Sequence, residues 1–210
     1  MAPELTVLSP ESPNWPNLLL GESVELFPRL WAFGDLSLLR QPLLGLFCST
    51  RCPGDVILQA YDLARALRDA NIPVIGGFHT PMERECLDLL LRGTQPVVWC
   101  PARGLPNPRR LPGARREALA QGRLLILSPF SGRHQRMTAE LAELRNDLVA
   151  QLAHRLLFLY APPGSRTEAA CRKATAWGKP ALTLAGEPSV NLVCLGAEPV
   201  APSNILRALS

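Results

Sequence analysis

Four short segments of the chain contain the residue types that bind anions. Arginine and hydroxyl side chains donate hydrogen bonds to phosphate, and glycine lets a ligand approach the backbone closely. Gly164, Ser165 and Thr167 precede a predicted helix, whose first N–H groups could bind an anion; Ser165 or Thr167 could equally serve as its cap. The segments are Ser49-Thr50-Arg51, Gly76-Gly77-Phe78-His79, Arg145-Asn146-Asp147 and Pro162 to Glu168.

Catalytic chemistry has weaker support. His79 and Glu83, four residues apart, could form an acid/base pair, but no serine or cysteine nucleophile accompanies them. Gly76-Gly77 could admit a ligand or form a tight turn. Neither G-x-G-x-x-G nor G-x-x-x-x-G-K-[ST] occurs, so no nucleotide fingerprint is present. The sequence favours a binding protein over an enzyme, and we expect no cofactor.

The six cysteines are scattered along the chain, as reduced core residues of a cytoplasmic protein are. Cys48 and Cys52 could be read as a metal pair, but no second Cys/His pair follows at zinc-site spacing, so we expect no metal. The sequence has no signal peptide and no apolar run of about 18 residues. We therefore expect a cytoplasmic protein without membrane contact.

The distribution of charge says more than the net charge of +4. The acids in the first 27 residues have no basic counterpart, whereas the segment from Arg103 to Arg136 carries eight arginines and one acid, Glu117. Clustered arginines favour a polyanionic partner, although an arginine-rich solvated face would show the same composition. The eight are Arg103, Arg109, Arg110, Arg115, Arg116, Arg123, Arg133 and Arg136.

The elements that must position these residues follow from periodicity. Residues 1–27 are proline-rich and aperiodic, and we expect an irregular lead-in. Beyond them, continuous apolar runs alternate with amphipathic helices, which predicts an α/β, Rossmann-like, doubly wound, mostly parallel sheet with helices on both faces. In such folds ligands bind beyond the carboxyl ends of the strands. The predicted strands are 43–48, 73–75, 96–100, 124–128, 155–160, 180–184 and 191–195; the predicted helices are 55–67, 81–92, 114–120, 137–153 and 167–177.

Read in order, landmarks over residues 28–210 resemble the bacterial DNA-processing protein A (DprA/Smf) family. Pro28 to Asp35 is similar to the family's entry into its first strand, and Leu46 to Arg51 to its apolar strand ending in Gly-Ser-Arg. Val74 to Gly77 is similar to its strand ending in Ser-Gly. Further similar segments are Arg103-Gly104-Leu105 with Pro108, Glu143 to Ala150, Ser165 to Ala170, and Asn191, Gly196-Ala197 and Ile205-Leu206.

The resemblance implies a function. In that family the Rossmann-like core binds single-stranded DNA in a basic pocket at the strand ends and, as a dimer, helps deliver DNA to the recombinase during natural transformation. The implied partners are therefore single-stranded DNA, a recombinase and a second copy of the chain. By this resemblance Ser49, Arg51, Arg145 and Asn146 would line the pocket, and Gly76, Gly77, Gly164, Ser165 and Thr167 would shape it.

Two alternatives remain open. The cytokinin-activating phosphoribohydrolases carry Pro-Gly-Gly-x-Gly-Thr-x-x-Glu where this chain has Pro163 to Glu168. That resemblance implies a nucleotide-binding sensor or a phosphoribohydrolase-like enzyme with Glu168 as its catalytic carboxylate. The other alternative is a homologue that acts through protein contacts alone.

Overall fold

The computed structural model describes residues 4–209, and within them nine strands form one sheet flanked by helices. The strands are β1 (Thr6–Leu8), β2 (Leu30–Phe33), β3 (Leu44–Cys48), β4 (Val74–Gly76), β5 (Val97–Trp99), β6 (Leu124–Ser128), β7 (Arg155–Tyr160), β8 (Ala181–Leu184) and β9 (Glu198–Val200). The helices are α1 (Glu22–Leu26), α2 (Gly54–Asp69), α3 (Pro81–Leu90), α4 (Gly113–Ala120), α5 (Ala139–Leu152), α6 (Arg166–Ala176), α7 (Val190–Cys194) and α8 (Ile205–Leu209).

The strand order is β1-β2-β6-β5-β4-β3-β7-β8-β9. From β3 onward the paired strands are parallel, whereas β1 and β2 are antiparallel to their neighbours. After β3 the chain adds β4 to β6 on one side, then returns to place β7 to β9 on the other. β3 and β7 therefore meet where the winding reverses, and we call their carboxyl ends the switch point. This topology confirms the predicted doubly wound α/β class.

The two faces of the sheet bury separate apolar clusters, which explains why its central strands are continuous apolar runs. Leu44 and Leu46 of β3 pack with α2, α3 and α4, whereas Phe47 packs with α5 and α6 on the opposite face. Phe47 also stacks on Phe158 of β7 with ring centroids 4.9 Å apart. The strands from β3 onward are parallel because helical crossovers connect them, so their carboxyl ends all lie at one edge of the sheet.

The N-terminal segment is less irregular than expected. Residues 1–3 lie outside the described residues, but Thr6–Leu8 forms an edge strand in which Val7 pairs with Trp31 of β2. Leu19 and Phe27 are buried in the cluster beneath α5 and α6. A three-residue strand is too short to show a periodicity, so this strand could not be predicted from the pattern of apolar residues.

Two other expectations are corrected. Residues 191–195 form helix α7, not a strand, because only Leu192 of that stretch is buried, whereas a strand between two covered faces is buried continuously. The N-cap of α2 is Pro53, so Asp55 lies in the first turn and does not serve as the cap.

Candidate functional site

Two adjoining cavities of about 570 and 480 Å³ open at the carboxyl ends of β4, β5 and β6. They share Trp99, Arg103 and Arg115 in their walls, and together we call them the arginine cleft. Among the described residues that line the cleft there is no aspartate or glutamate. The permanently charged side chains of this lining are therefore all cationic. The arginines that line it are Arg84, Arg103, Arg110, Arg115 and Arg145.

Trp99 forms the wall between the two cavities. It is the last residue of β5, and its indole N–H donates to the Gly77 carbonyl at 3.1 Å, which fixes the ring. Arg115 of α4 lies over that ring, 4.9 Å from its centroid, and contacts Asp88 of α3 at 3.7 Å. The cation–π contact with Trp99 and the ion pair with Asp88 hold the Arg115 guanidinium at the cleft.

Arg145 is the deepest cation of the cleft. It comes from α5, is 5% exposed, and donates from Nη1 to the Cys100 carbonyl at 3.1 Å and from Nε to the Asn146 side-chain oxygen at 2.9 Å. Within residues 4–209 no carboxylate lies within 4.0 Å of the guanidinium. Burial lowers the pKa of Arg145, against the opposing effect of Glu83. The position thus holds a buried positive charge without an ion-pair partner, which is costly unless an anion approaches.

Gly77 makes room for that arginine. A Cβ atom at this position would lie 1.5 Å from Nη1 of Arg145 and 2.0 Å from its Cζ. Any side chain here would displace the guanidinium. The Gly76-Gly77 pair, left open by the sequence as a ligand approach or a tight turn, therefore includes one glycine that is needed because an arginine packs against its backbone.

The side chain of Glu83 accepts hydrogen bonds from backbone N–H groups. Its carboxylate accepts from the N–H groups of Cys48 at 3.0 Å, His79 at 2.8 Å and Thr80 at 3.3 Å, and completes a capping box with Thr80 at the start of α3. No hydrogen bond in the described part of the chain joins Glu83 to the His79 ring. Burial, then Arg145 and Arg84, lower the pKa of His79. The arrangement gives Glu83 a positioning role, not that of a base beside His79.

The predicted residues at the switch point lie apart from the cleft lining. Ser49 follows β3, and its backbone N–H donates to the Tyr160 carbonyl of β7 at 2.9 Å. Its hydroxyl oxygen is buried and has no hydrogen-bond partner within the described structure. Arg51, two residues on, is exposed. Within residues 4–209, a buried hydroxyl without a hydrogen-bond partner and an exposed arginine thus flank the reversal of the sheet.

The turn between β7 and α6 satisfies most of its own donors. Gly164 has φ +74°, and its N–H donates to Glu168 at 2.8 Å, while the Glu168 N–H donates to the Ser165 hydroxyl at 3.1 Å. The Asn191 amide donates to the second Glu168 oxygen at 2.6 Å, and this bond is the main cause of the lowered pKa of Glu168. Thr167 lies in the first turn of α6. The carboxylate proposed for catalysis is therefore held as a cap.

The structure brings some of the predicted residues together and separates others. Gly77 and Arg145 line the cleft, Gly76 ends β4 beside them, and Asn146 supports Arg145. Arg123, from the arginine-rich segment, precedes β6 and lies at the opposite end of the sheet. Sequence reasoning missed Trp99 and Arg84. The position of Trp99 as the last residue of an apolar strand was the available signal. The predicted residues outside the cleft lining are Gly76 and Asn146, which adjoin it, and Ser49, Arg51, Gly164, Ser165 and Thr167.

Among residues 4–209 no helix is both long enough and apolar enough to cross a membrane. In the same range no group of three or more His, Cys, Asp or Glu side chains is placed to hold a metal ion.

The sheet order and the cleft at its carboxyl edge define a Rossmann-like α/β protein with a cationic site. No family model and no curated protein sequence matches the chain. Its fold matches DNA processing protein A (DprA) from Streptococcus pneumoniae, with a TM-score of 0.79 and 16% identity over 97% of this chain and 74% of that one. DprA from Helicobacter pylori is a protein that binds single-stranded DNA. Its TM-score is 0.76 and its sequence identity 19%, over 100% of this chain and 98% of that one.

A second group of solved structures is less similar. The molybdenum cofactor binding protein from Rippkaea orientalis gives a TM-score of 0.57 and 12% identity over 81% of this chain and 96% of that one. At these identities the likenesses show the fold, and at that level the resemblance to DprA is confirmed.

Proposed function

We propose that this protein binds single-stranded DNA along the arginine cleft. The observation that carries the proposal is the buried Arg145, which has no ion pair within the described residues. It lines one of the two cavities of a cleft that contains four further arginines and, among the described residues, no acid. A phosphate placed there would supply the missing counter-charge. The similarity in fold to DprA, including the DNA-binding Helicobacter pylori protein, supports the same function.

The physical character of the cleft favours binding without sequence preference. Guanidinium groups contact phosphates, which are the same in every nucleotide. The cleft arginines come from α3, the loop after β5, α4 and α5, so they surround the cavities instead of forming a single row. An open cationic groove whose arginines come from several elements suits a flexible single strand.

The switch point extends this proposal. Ser49 and Arg51 lie after β3, which is next to β4 in the sheet. Single-stranded DNA that leaves the cleft in this direction would therefore pass them. Arg51 is the exposed cation available for a further phosphate, with Gly164, Ser165 and Thr167 bordering its path. This assigns the predicted DNA-binding residues to two places: a principal site at Arg145 and a flanking contact at Arg51.

A role in DNA uptake and recombination, with delivery of DNA to a recombinase, is the wider function that we propose from the resemblance to DprA. The proposal includes a homodimer and a cytoplasmic location. Light scattering of the purified chain would give its oligomeric state. Co-purification with a bacterial recombinase, with and without single-stranded DNA, would test the partner.

The decisive experiment compares two double variants of equal charge. In Arg103→Ala/Arg115→Ala the cleft loses two arginines, whereas in Arg109→Ala/Arg116→Ala the same segment loses two exposed arginines outside the cleft lining. Fluorescence anisotropy with a labelled single-stranded oligonucleotide is measured at low and moderate salt, after thermal unfolding has shown that both variants fold. We expect the first variant to lose about tenfold or more in affinity and the second about threefold or less.

Equal losses in the two variants would show binding by general charge and would remove the cleft from the proposal. No binding by the parent protein at low salt would overturn single-stranded DNA as the ligand. In that case the nucleotide-sensor alternative is tested by titrating nucleoside phosphates and following the intrinsic tryptophan fluorescence, with a Trp99→Phe variant to identify the share of Trp99 among the four tryptophans.

A further inference from the structure

Two of the three histidines of the chain lie in the arginine cleft. His79 lines the cavity that contains Arg84 and Arg145, and His134 lines the adjoining cavity. Both residues are exposed, so a ligand in the cleft can reach their side chains. The third histidine, His154, is also exposed but directly precedes β7, at the amino ends of the strands. Each cavity of the cleft therefore has one imidazole in its wall.

The backbone fixes the position of His79. Its N–H donates to the Glu83 carboxylate at 2.8 Å, and the buried Phe78 before it adopts a φ of +46°, the conformation of a tight turn. Glu83 also accepts from two other backbone N–H groups. Desolvation, followed by Arg145 and Arg84, lowers the pKa of His79 against the opposing effect of Glu83. The charged groups that face His79 are Glu83 and Arg84 from α3, Arg145 from α5, and Arg103 and Arg115 in the wall of the same cavity.

His134 is positioned by the loop that follows β6. Its N–H donates to the Ser131 carbonyl at 3.0 Å, and its carbonyl accepts from the Gly104 N–H at 2.8 Å. Its ring packs on Phe130 with the ring centroids 5.7 Å apart, and its Nδ1 lies 3.4 Å from the Ser131 hydroxyl. Within the described residues no aspartate or glutamate lines this cavity. The charged groups nearby are Arg133, which is adjacent in the chain, and Arg103, Arg110 and Arg115, which line the same cavity.

We propose that His79 and His134 are phosphate-binding residues of the cleft and that they take up protons when single-stranded DNA binds. The inference rests on the function proposed above and concerns the regulation of the same site. Histidine is the side chain whose charge ordinarily changes between about pH 5 and 8. Further positive charge among five arginines is unfavourable, so neutral imidazoles suit the protein alone, whereas a bound phosphate favours the charged form. The cleft thus gains cationic contacts when the polyanion arrives.

Proton uptake gives the pH dependence of binding a definite sign. A group whose pKa is higher in the complex than in the free protein makes binding tighter as the pH falls. The gain begins as the pH falls through the pKa of the complex, and it is complete below the pKa of the free protein. An oligothymidylate is the suitable probe, because neither its phosphodiesters nor its bases change charge in the range where histidine does.

The test measures the affinity of the full-length chain for a fluorescein-labelled oligothymidylate by anisotropy, at constant ionic strength between about pH 5.5 and 8. Thermal unfolding first establishes that each variant is folded at both ends of this range. We expect the parent to bind about tenfold more tightly at the acid end, and His79→Gln/His134→Gln to lose most of this gain. His154→Gln, which removes the exposed histidine at the other edge of the sheet, should keep the whole gain.

Calorimetry in buffers of different ionisation enthalpy measures the same effect directly. Near pH 6.5 we expect the parent to take up about one proton as it binds the oligothymidylate, and the double variant to take up close to none. An affinity that does not change with pH, or an acid gain that persists in the double variant, would overturn the inference while the protein still binds DNA. No binding of the oligothymidylate at any pH in the range would overturn the proposed function together with it.

Discussion

At the ends of β4, β5 and β6, the arginine cleft contains a buried guanidinium that has no ion-pair partner among the described residues. The Cys100 carbonyl and the Asn146 side chain accept hydrogen bonds from it, and Gly77 leaves room for it. At the end of β7, three residues and one asparagine from α7 close the turn with hydrogen bonds among themselves. Both regions lie on the same edge of one sheet. The arginine cleft has positive charge that a ligand could neutralise. In the turn after β7, by contrast, most of the polar groups already form hydrogen bonds within the protein.

The contrast qualifies the rule that ligands bind at the switch point of a doubly wound sheet. Topology there creates a crevice, but its chemistry depends on whether the side chains are still available. In this protein the Glu168 carboxylate already accepts from N–H groups that an anion would need, whereas Arg145 has no ion-pair partner within residues 4–209. A ligand site is therefore better identified from unsatisfied groups than from topology alone.

The largest expected effect comes from replacing one glycine by alanine in each of the two regions: Gly77 in the arginine cleft and Gly164 in the turn after β7. Gly77→Ala places a Cβ against the Arg145 guanidinium, and we expect a loss of about 3 kcal/mol in the free energy of unfolding together with weak DNA binding. Gly164→Ala meets no atom within 4 Å but must adopt a positive φ, which costs about 1 kcal/mol. Urea denaturation and anisotropy measure both. Equal losses in stability would contradict the packing of Arg145 behind Gly77.

Removing the buried charge should separate stability from binding. In Arg145→Met the side chain keeps much of its volume and loses both its charge and its bond to Cys100. We expect stability to change by about 1 kcal/mol or less, because the lost hydrogen bond and the relieved burial of charge offset one another. Affinity for single-stranded DNA should fall about tenfold, with the slope of log K against log salt reduced by about 0.7. An unchanged slope would show that Arg145 contacts no phosphate.

Glu168→Gln tests the self-capped side. The variant keeps the size of the side chain but weakens its bonds to Gly164 and Asn191, so we expect a loss of about 1 kcal/mol in stability and no change in DNA affinity. Folding lowers the pKa of Glu168 below its ordinary value of 4.5. The ionised carboxylate therefore stabilises the folded protein above pH 4.5, and this stabilisation is lost as the pH falls through the pKa of the folded state. Unfolding followed between neutral pH and pH 3 should show a smaller acid loss in the variant. Reduced DNA binding would place the turn in the site.

The smallest effect is expected at Arg51. This side chain is exposed, so Arg51→Ala should leave stability within about 0.5 kcal/mol of the parent. Affinity for DNA should fall two- to threefold, roughly one phosphate contact. Arg29→Ala, which removes an exposed arginine before β2, is the control of equal charge and should have no effect. A tenfold loss of DNA affinity in Arg51→Ala would contradict this prediction and would make the switch point, instead of the arginine cleft, the principal binding site.

The sequence predicted the parts of the fold that have long apolar runs. β3, β6 and β7 were located within one residue because both of their faces are buried, which leaves an unbroken apolar signal. β1, β2 and β9 were missed, since strands of three or four residues near the two ends of the sheet show no such run. α7 was read as a strand because a single turn of helix has too few residues to reveal a period.

The candidate site could be predicted only in part, for a different reason. Arg145 was expected to bind DNA, and the structure gives it a place in the cleft. Its dependence on Gly77, and the role of Trp99 as a wall between cavities, arise from residues that are distant in sequence and meet only in the folded chain. The spacing of Pro163 to Glu168 indicated an anion site or a cap, and only the bonds of Glu168 distinguish the two.

The antiparallel pairing of β2 with β6 also has a consequence for how the chain is made. Trp31 pairs with Ser128, so the N-terminal strands have no sheet to join until the ribosome has synthesised β6. During that interval Leu30 and Ala32, which are buried in the finished protein, remain unprotected. We expect nascent chains that end before residue 128 to expose this segment to proteases, and longer ones to protect it.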